Sequence, residues 1–146
     1  MVHGMGAGVG FWVLNFASLA AKRPVYAFDV LGFGRSSRPT FSKDAKLAEM
    51  ELVESIEDWR KEVGLEKFIM CGHSLGGFIA AAYTIQYPER IHHLVLADPW
   101  GFLEMPRKAN GTATPLPVWV KIIATLISPF NPLAGLRALG PFGENY

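Results

Sequence analysis

Apolar and polar positions fall into blocks whose period changes in a regular order along the chain. Phe11 to Ala21 is mostly apolar over a length that fits a helix. Pro24-Val25-Tyr26-Ala27-Phe28-Asp29-Val30 is short, apolar and rich in β-formers, which predicts a buried strand ending in the turn-rich Leu31 to Pro39. Thr40 to Ala48 is polar and has no obvious core face. Leu52, Ile56, Trp59 and Val63 then recur at helical spacing, while Glu51, Glu54, Glu57, Asp58, Arg60 and Lys61 take the other positions. Those charges read as a solvated helix face, and Gly64 reads as its C-terminal cap. Phe68 to Cys71 predicts a second strand, followed by a glycine turn and a helical pattern that stops at Pro88. Ala80-Ala81-Ala82 gives that helix small residues for close approach to a sheet, and Ile91 to Asp98 predicts a third strand.

Beyond Asp98 the pattern breaks down. Glu104 to Pro117 is polar and contains proline, Leu116 to Phe130 is strongly apolar but interrupted by Lys121 and proline, and Pro129, Pro132 and Gly135 break the chain again. Residues 1–98 are therefore expected to form an α/β core with a parallel sheet and flanking helices, and 99–146 the start of a cap or lid. The apolar run is compatible with an interfacial cover over a lipid substrate or with an ordinary core helix.

Composition narrows the function classes. Half of the 146 residues are hydrophobic and the formal net charge is +1, which suits a packed core and argues against a disordered chain or a nucleic-acid binder. The single cysteine, Cys71, lies within a strand pattern and is expected to be a buried apolar residue in a reducing compartment. No Cys/His cluster has zinc spacing, so no metal is expected. Met1-Val2-His3-Gly4 offers neither the basic segment nor the apolar core of a signal peptide, and no run reaches the ~18 apolar residues of a spanning helix. A cytoplasmic location follows as the expectation. His3 to Gly10 is glycine-rich, but Val9, Phe11 or Val13 fills the third glycine position of G-x-G-x-x-G in every register, and no phosphate-binding loop pattern occurs. No nucleotide or other cofactor is expected.

The chemistry lies in Gly72-His73-Ser74-Leu75-Gly76. A strand, G-x-S-x-G and a helix form the context of a nucleophile elbow, in which Gly72 and Gly76 keep a sharp turn free of side-chain collisions. Ser74 is the expected nucleophile of an acyl transfer. The backbone N–H of Leu75 and that of Met5, in the loop His3-Gly4-Met5-Gly6, are the expected oxyanion donors, with His3 bracing that loop. His73 precedes the nucleophile and should point away from its hydroxyl. Asp29, at a strand end, is either a catalytic acid or the residue that orders the following glycine turn. Asp98 is a candidate acid, although Asp-Pro-Trp reads as a structural turn into the cap. His92 and His93 lie at the N-terminal end of their strand, away from the end where ligands bind.

These motifs carry a resemblance. His3-Gly4-Met5-Gly6, Phe28 to Ser37 and Gly72 to Gly77 look like the α/β-hydrolase superfamily. Asp98-Pro99-Trp100-Gly101-Phe102 and Asn131 to Arg137 resemble, more narrowly, the subfamily of abhydrolase-domain-containing proteins four and five. The resemblance implies a partial α/β-hydrolase fold and a lipid or lysophospholipid substrate. Known activities in the subfamily are lysophospholipase action on N-acyl phosphatidylethanolamine and lysophosphatidic acid acyl transfer. It also includes a lipid-droplet co-activator of adipose triglyceride lipase, and so implies peripheral association with membranes or lipid droplets and, for a co-activator, a lipase partner. The co-activator branch carries asparagine at the nucleophile position, so Ser74 favours the hydrolase branch.

In that family the acid and the histidine follow the serine on later strands, whereas this sequence stops at Tyr146. The family's strand before the His3-Gly4 loop runs between the elbow strand and the Tyr26 strand, and Met1 and Val2 are what this sequence holds of it. The expectation is a fragment that is inactive alone and poorly stable.

Overall fold

The computed structural model describes residues 1–101. The expected cap is represented there by Pro99, Trp100 and Gly101, and its remainder, with Leu116 to Phe130 and Asn131 to Arg137, lies outside the described residues. The order is a short 3-10 turn Val9–Trp12, α1 (Val13–Ala20), α2 (Ala45–Glu62), β1 (Phe68–His73), α3 (Leu75–Gln86), a 3-10 turn Pro88–Arg90, and β2 (Ile91–Ala97).

β1 and β2 pair in parallel, from Phe68 opposite Ile91 to His73 opposite Ala97, and α3 makes the crossover between them. On the other side of β1 stands Val2, in single parallel bridges to Gly72 and to Phe28. Its N–H donates to the Cys71 carbonyl at 2.8 Å and its carbonyl accepts the His73 N–H at 3.0 Å. The strand expected over Pro24–Val30 is thus an extended segment with one bridge rather than a ladder. Its neighbour in the sheet is Val2, and a single residue cannot supply the repeated pairs a ladder needs. The Met1 ammonium adds one contact, donating to the Tyr26 carbonyl at 2.7 Å.

The core gathers Val2, Val30, Val53, Ile56, Met70, Ile79, Ala80 and Tyr83, where α3 lies on the sheet and α2 lies against α3. α2 begins at Ala45, inside the stretch read as polar and without a core face, because Asp44 caps it: Oδ1 accepts the Leu47 N–H at 3.0 Å. Those first turns leave Leu47 and Met50 exposed, which is why no core face was visible there. Further along, the expectation of a solvated charged face is wrong for two residues. Glu57 and Arg60 are buried, on the same side as Val53 and Ile56, while Val63 is exposed. The two charges sit inside because they neutralise each other in a bidentate pair, Nε and Nη2 of Arg60 each 2.8 Å from one Glu57 oxygen. At the C-terminus Gly64 takes φ +70°, and the Leu65 N–H returns to the Arg60 carbonyl at 3.1 Å to close the helix.

Candidate active site

Ser74 stands between β1 and α3 with φ 53° and ψ −121°, a conformation that costs a non-glycine residue about 1–3 kcal/mol. The turn exists because its surroundings lack side chains. A methyl group on Gly72 would collide with the Gly76 carbonyl, and one on Gly76 with the carbonyls of Val2 and His3. The loop of Gly4 packs directly on the elbow: a Cβ there would lie 2.9 Å from Ser74 Cβ. The nucleophile position is therefore fixed from two sides, by the start of α3 and by the chain from Val2 to Gly4.

Leu75 is the first residue of α3, and its N–H, like that of Met5, makes no hydrogen bond among the described residues. Such orphan donors at a helix start carry the positive end of the helix dipole. Met5 itself is exposed, whereas His3 and Gly4 are buried. His3 uses both ring nitrogens on the backbone. Nε2 accepts the Val30 N–H at 2.9 Å, so Nδ1 carries the proton and donates to the Gly4 carbonyl at 2.8 Å. This ring ties the glycine loop to the Phe28 segment and has no lone pair left for a proton from Ser74.

Asp29 makes the second tie. Its Oδ1 accepts the Val9 N–H at 2.6 Å and its Oδ2 the Arg35 N–H at 2.9 Å, so one carboxylate joins the two glycine-rich loops. Burial opposes ionisation of Asp29, but the Arg35 and Val9 N–H groups outweigh it and hold the carboxyl below its ordinary value of 3.8. Of the two roles the sequence left open, this geometry matches the ordering of the loops.

All four histidines of the chain lie within the described residues, and none bonds the Ser74 hydroxyl, which makes no hydrogen bond there. The His73 ring stacks on Phe11 at 4.6 Å and meets the edge of Trp12 at 6.5 Å. His92 and His93 are exposed in the first half of β2, far along the strand from Ala97. Asp98 follows β2, next to the elbow in register, with an exposed carboxylate that makes neither an ion pair nor a hydrogen bond among the described residues. No group of three His, Cys, Asp or Glu among the described residues is placed to hold a metal ion. No helix among them is long and apolar enough to cross a membrane. Sequence reasoning read Asp-Pro-Trp as a structural turn but missed that Ala97 and Trp100, on either side of Asp98 and Pro99, bond through their backbone to Ser74.

A parallel sheet, a serine at a left-handed strand-to-helix turn and a glycine loop packed on that serine define a class, and the sequence comparison agrees with it. The family described as alpha/beta hydrolase fold matches residues 1–127, and the chain belongs to that family. Within it, the chain is 57% identical over 143 residues to human 1-acylglycerol-3-phosphate O-acyltransferase ABHD5 and 54% identical over 143 residues to mouse (lyso)-N-acylphosphatidylethanolamine lipase. Both alignments cover 98% of this chain but 41% and 42% of the relatives, so the chain spans about two fifths of their length. Among solved structures, a probable hydrolytic enzyme from Pseudomonas aeruginosa PAO1 superposes with a TM-score of 0.64 at 27% identity, covering 73% of this chain and 35% of that one. An extracellular alpha/beta-hydrolase from a Paenibacillus species gives 0.61 at 26% identity, covering 88% and 50%.

Proposed function

We propose that Ser74 is the nucleophile of a lipid-metabolising serine hydrolase that cleaves the acyl esters of phospholipids or lysophospholipids. The observation that carries this reading is the strained φ of Ser74 at a junction where the Leu75 N–H is left without a partner. Strain of this kind persists only where the surroundings impose it, and it presents the hydroxyl at the tip of the turn. The name of the lipase relative supports the substrate class. In the proposed reaction Oγ attacks the ester carbonyl while its proton passes to a histidine base. The oxyanion accepts hydrogen bonds from Leu75 and Met5, and the lipid alcohol leaves with that proton. Water then hydrolyses the acyl-serine by the reverse route.

The base is the part that these residues do not supply. His3 is committed to the backbone, His73 is packed against Phe11, and His92 and His93 lie at the far end of β2. We therefore place the base outside the 146 residues of this sequence. Site of action is proposed to be cytoplasmic, at the surface of membranes or lipid droplets. Fluorophosphonate labelling of the full-length protein, compared with Ser74→Ala, tests the nucleophile; release of fatty acid from N-acyl phosphatidylethanolamine or its lyso form tests the substrate. Ester turnover by the 146-residue chain alone would overturn the external base.

A second reading shares the acyl-serine step. The acyltransferase relatives, at 56–57% identity, are slightly more similar than the lipases at 53–54%, and their name supports transfer of the acyl group to the hydroxyl of a 1-acylglycerol-3-phosphate in place of water. Product analysis with labelled acyl donor separates the two. A lipase-activating adaptor that makes no use of the hydroxyl would keep its effect after Ser74→Ala.

A further inference from the structure

The elbow is held from a third side, by the turn that leaves β2. The Ser74 N–H donates to the Ala97 carbonyl at 3.2 Å, and the Ser74 carbonyl accepts the Trp100 N–H at 3.0 Å beside those of Gly77 at 2.9 Å and Phe78 at 3.2 Å. Between Ala97 and Trp100 the chain bends at Asp98, which has φ 47°. Among the described residues only Ser74 and Asp98 are non-glycine residues at positive φ. The turn then lies on the start of α3: a Cβ on Gly77 would be 2.9 Å from Pro99 Cβ, and one on Gly101, at φ 84°, 3.2 Å from a Phe78 ring carbon.

The carbonyl of Ser74 and the N–H of Leu75 belong to one planar trans peptide unit, so they point in opposite directions. Whatever fixes the carbonyl also aims the N–H. The Trp100 donor fixes the carbonyl from outside α3, which leaves the Leu75 N–H turned away from the bonded groups.

We propose that Asp98 is a positioning residue. Its left-handed backbone carries the Trp100 N–H to the Ser74 carbonyl, and that bond orients the Leu75 N–H as an oxyanion donor. The proposal rests on the reading of Ser74 as nucleophile, and it gives Asp98 a role through its backbone rather than its carboxylate. Asparagine and glycine share the tolerance of aspartate for this conformation, whereas a β-branched residue does not.

The test compares Asp98→Val, Asp98→Asn and Asp98→Gly by residue-resolved amide hydrogen exchange, with α2 as the internal reference. Valine is expected to speed exchange at Trp100, Gly77 and Phe78 by on the order of tenfold while α2 stays within about twofold, and asparagine and glycine to restore the wild-type pattern. Equal acceleration in α2 and the elbow, or an elbow unaffected by valine, would overturn the proposal. If Asp98→Val does not fold, Gly101→Ala perturbs the other left-handed position of the turn and is expected to give the same local pattern; a wild-type pattern there overturns the proposal. Fluorophosphonate labelling of Ser74 in the full-length protein is the second arm. Labelling lost with valine but kept with asparagine supports positioning, whereas loss with both assigns the carboxylate a chemical role and overturns it. Absence of label in wild type, with the exchange pattern intact, removes the nucleophile reading and leaves the brace standing.

Discussion

Tyr83 on α3 donates its hydroxyl hydrogen bond to Glu57 on α2 at 2.7 Å, and both residues are buried. Arg60 completes the group, bidentate to Glu57 and bonded through Nη1 to the Leu65 carbonyl on the way into β1. The three side chains thus link the helix that follows the elbow, the helix packed against it and the approach to the elbow strand. Burial, reinforced by the Glu57 hydrogen bond, pushes the Tyr83 phenol up, so at neutral pH it remains a donor. Tyr83→Phe is expected to cost about 1.5–3 kcal/mol, the usual range for a hydrogen bond to a charged group. Arg60→Met should cost more, about 3–5 kcal/mol, because it strands a buried carboxylate. Adding Glu57→Leu to Arg60→Met is expected to recover part of that loss. Urea unfolding of the single and double variants measures all three.

The same pair sets a pH dependence. The Arg60 hydrogen bonds hold the Glu57 carboxyl down to about 2 from an ordinary 4.5, with burial opposing and Tyr83 adding to the effect. A carboxyl depressed in the folded state binds fewer protons there than in the unfolded chain. Its contribution is therefore complete above pH 4.5 and is lost as the pH falls from 4.5 towards 2. Asp29, also depressed, acts in the same direction. Glu57→Gln is expected to flatten the stability profile over that interval, as read by denaturant midpoints at a series of pH values.

The elbow was legible because every level agreed on it: an apolar run, two glycines at the required spacing and a helix pattern ending at a proline. Glu57 and Arg60 were not, because a charged pair three residues apart looks the same whether it faces water or a buried tyrosine on another helix. Only the third partner, 26 residues away from Glu57, distinguishes the cases. The Phe28 segment was misread for a related reason. Its strand propensity is local, but a ladder depends on the neighbour, and here that neighbour is Val2. The brace on Ser74 is made by backbone atoms of Trp100 and Ala97, which no side-chain pattern announces.

His3 and Asp29 hold the glycine loop by backbone bonds alone, and the two ties are separable. His3→Phe removes the acceptor for the buried Val30 N–H and the donor to the Gly4 carbonyl, at about 1–3 kcal/mol per unsatisfied group. Asp29→Ala frees the Val9 and Arg35 N–H groups, which lie nearer to solvent, so a smaller loss is expected. If either residue instead exchanged protons with the nucleophile, its removal would change reactivity at Ser74 out of proportion to stability. Thermal melts alongside fluorophosphonate labelling rates distinguish the two cases.

Ser74 also offers a test of where the strain resides. At φ 53° its Cβ is the source of the conformational cost, and the hydroxyl makes no hydrogen bond among the described residues that would offset it. Ser74→Ala keeps the Cβ and should leave stability within about 0.5 kcal/mol of wild type. Ser74→Gly removes the Cβ and should stabilise the chain by about 1 kcal/mol. That figure is what remains of a strain of about 1–3 kcal/mol after the greater backbone entropy of glycine is subtracted. Both variants remove the hydroxyl, so neither is expected to react with fluorophosphonate. A glycine variant no more stable than the alanine variant would show that the surrounding carbonyls, rather than the Cβ, set the cost of the turn. Chemical denaturation of the two variants side by side decides it, since they differ by that one methyl group.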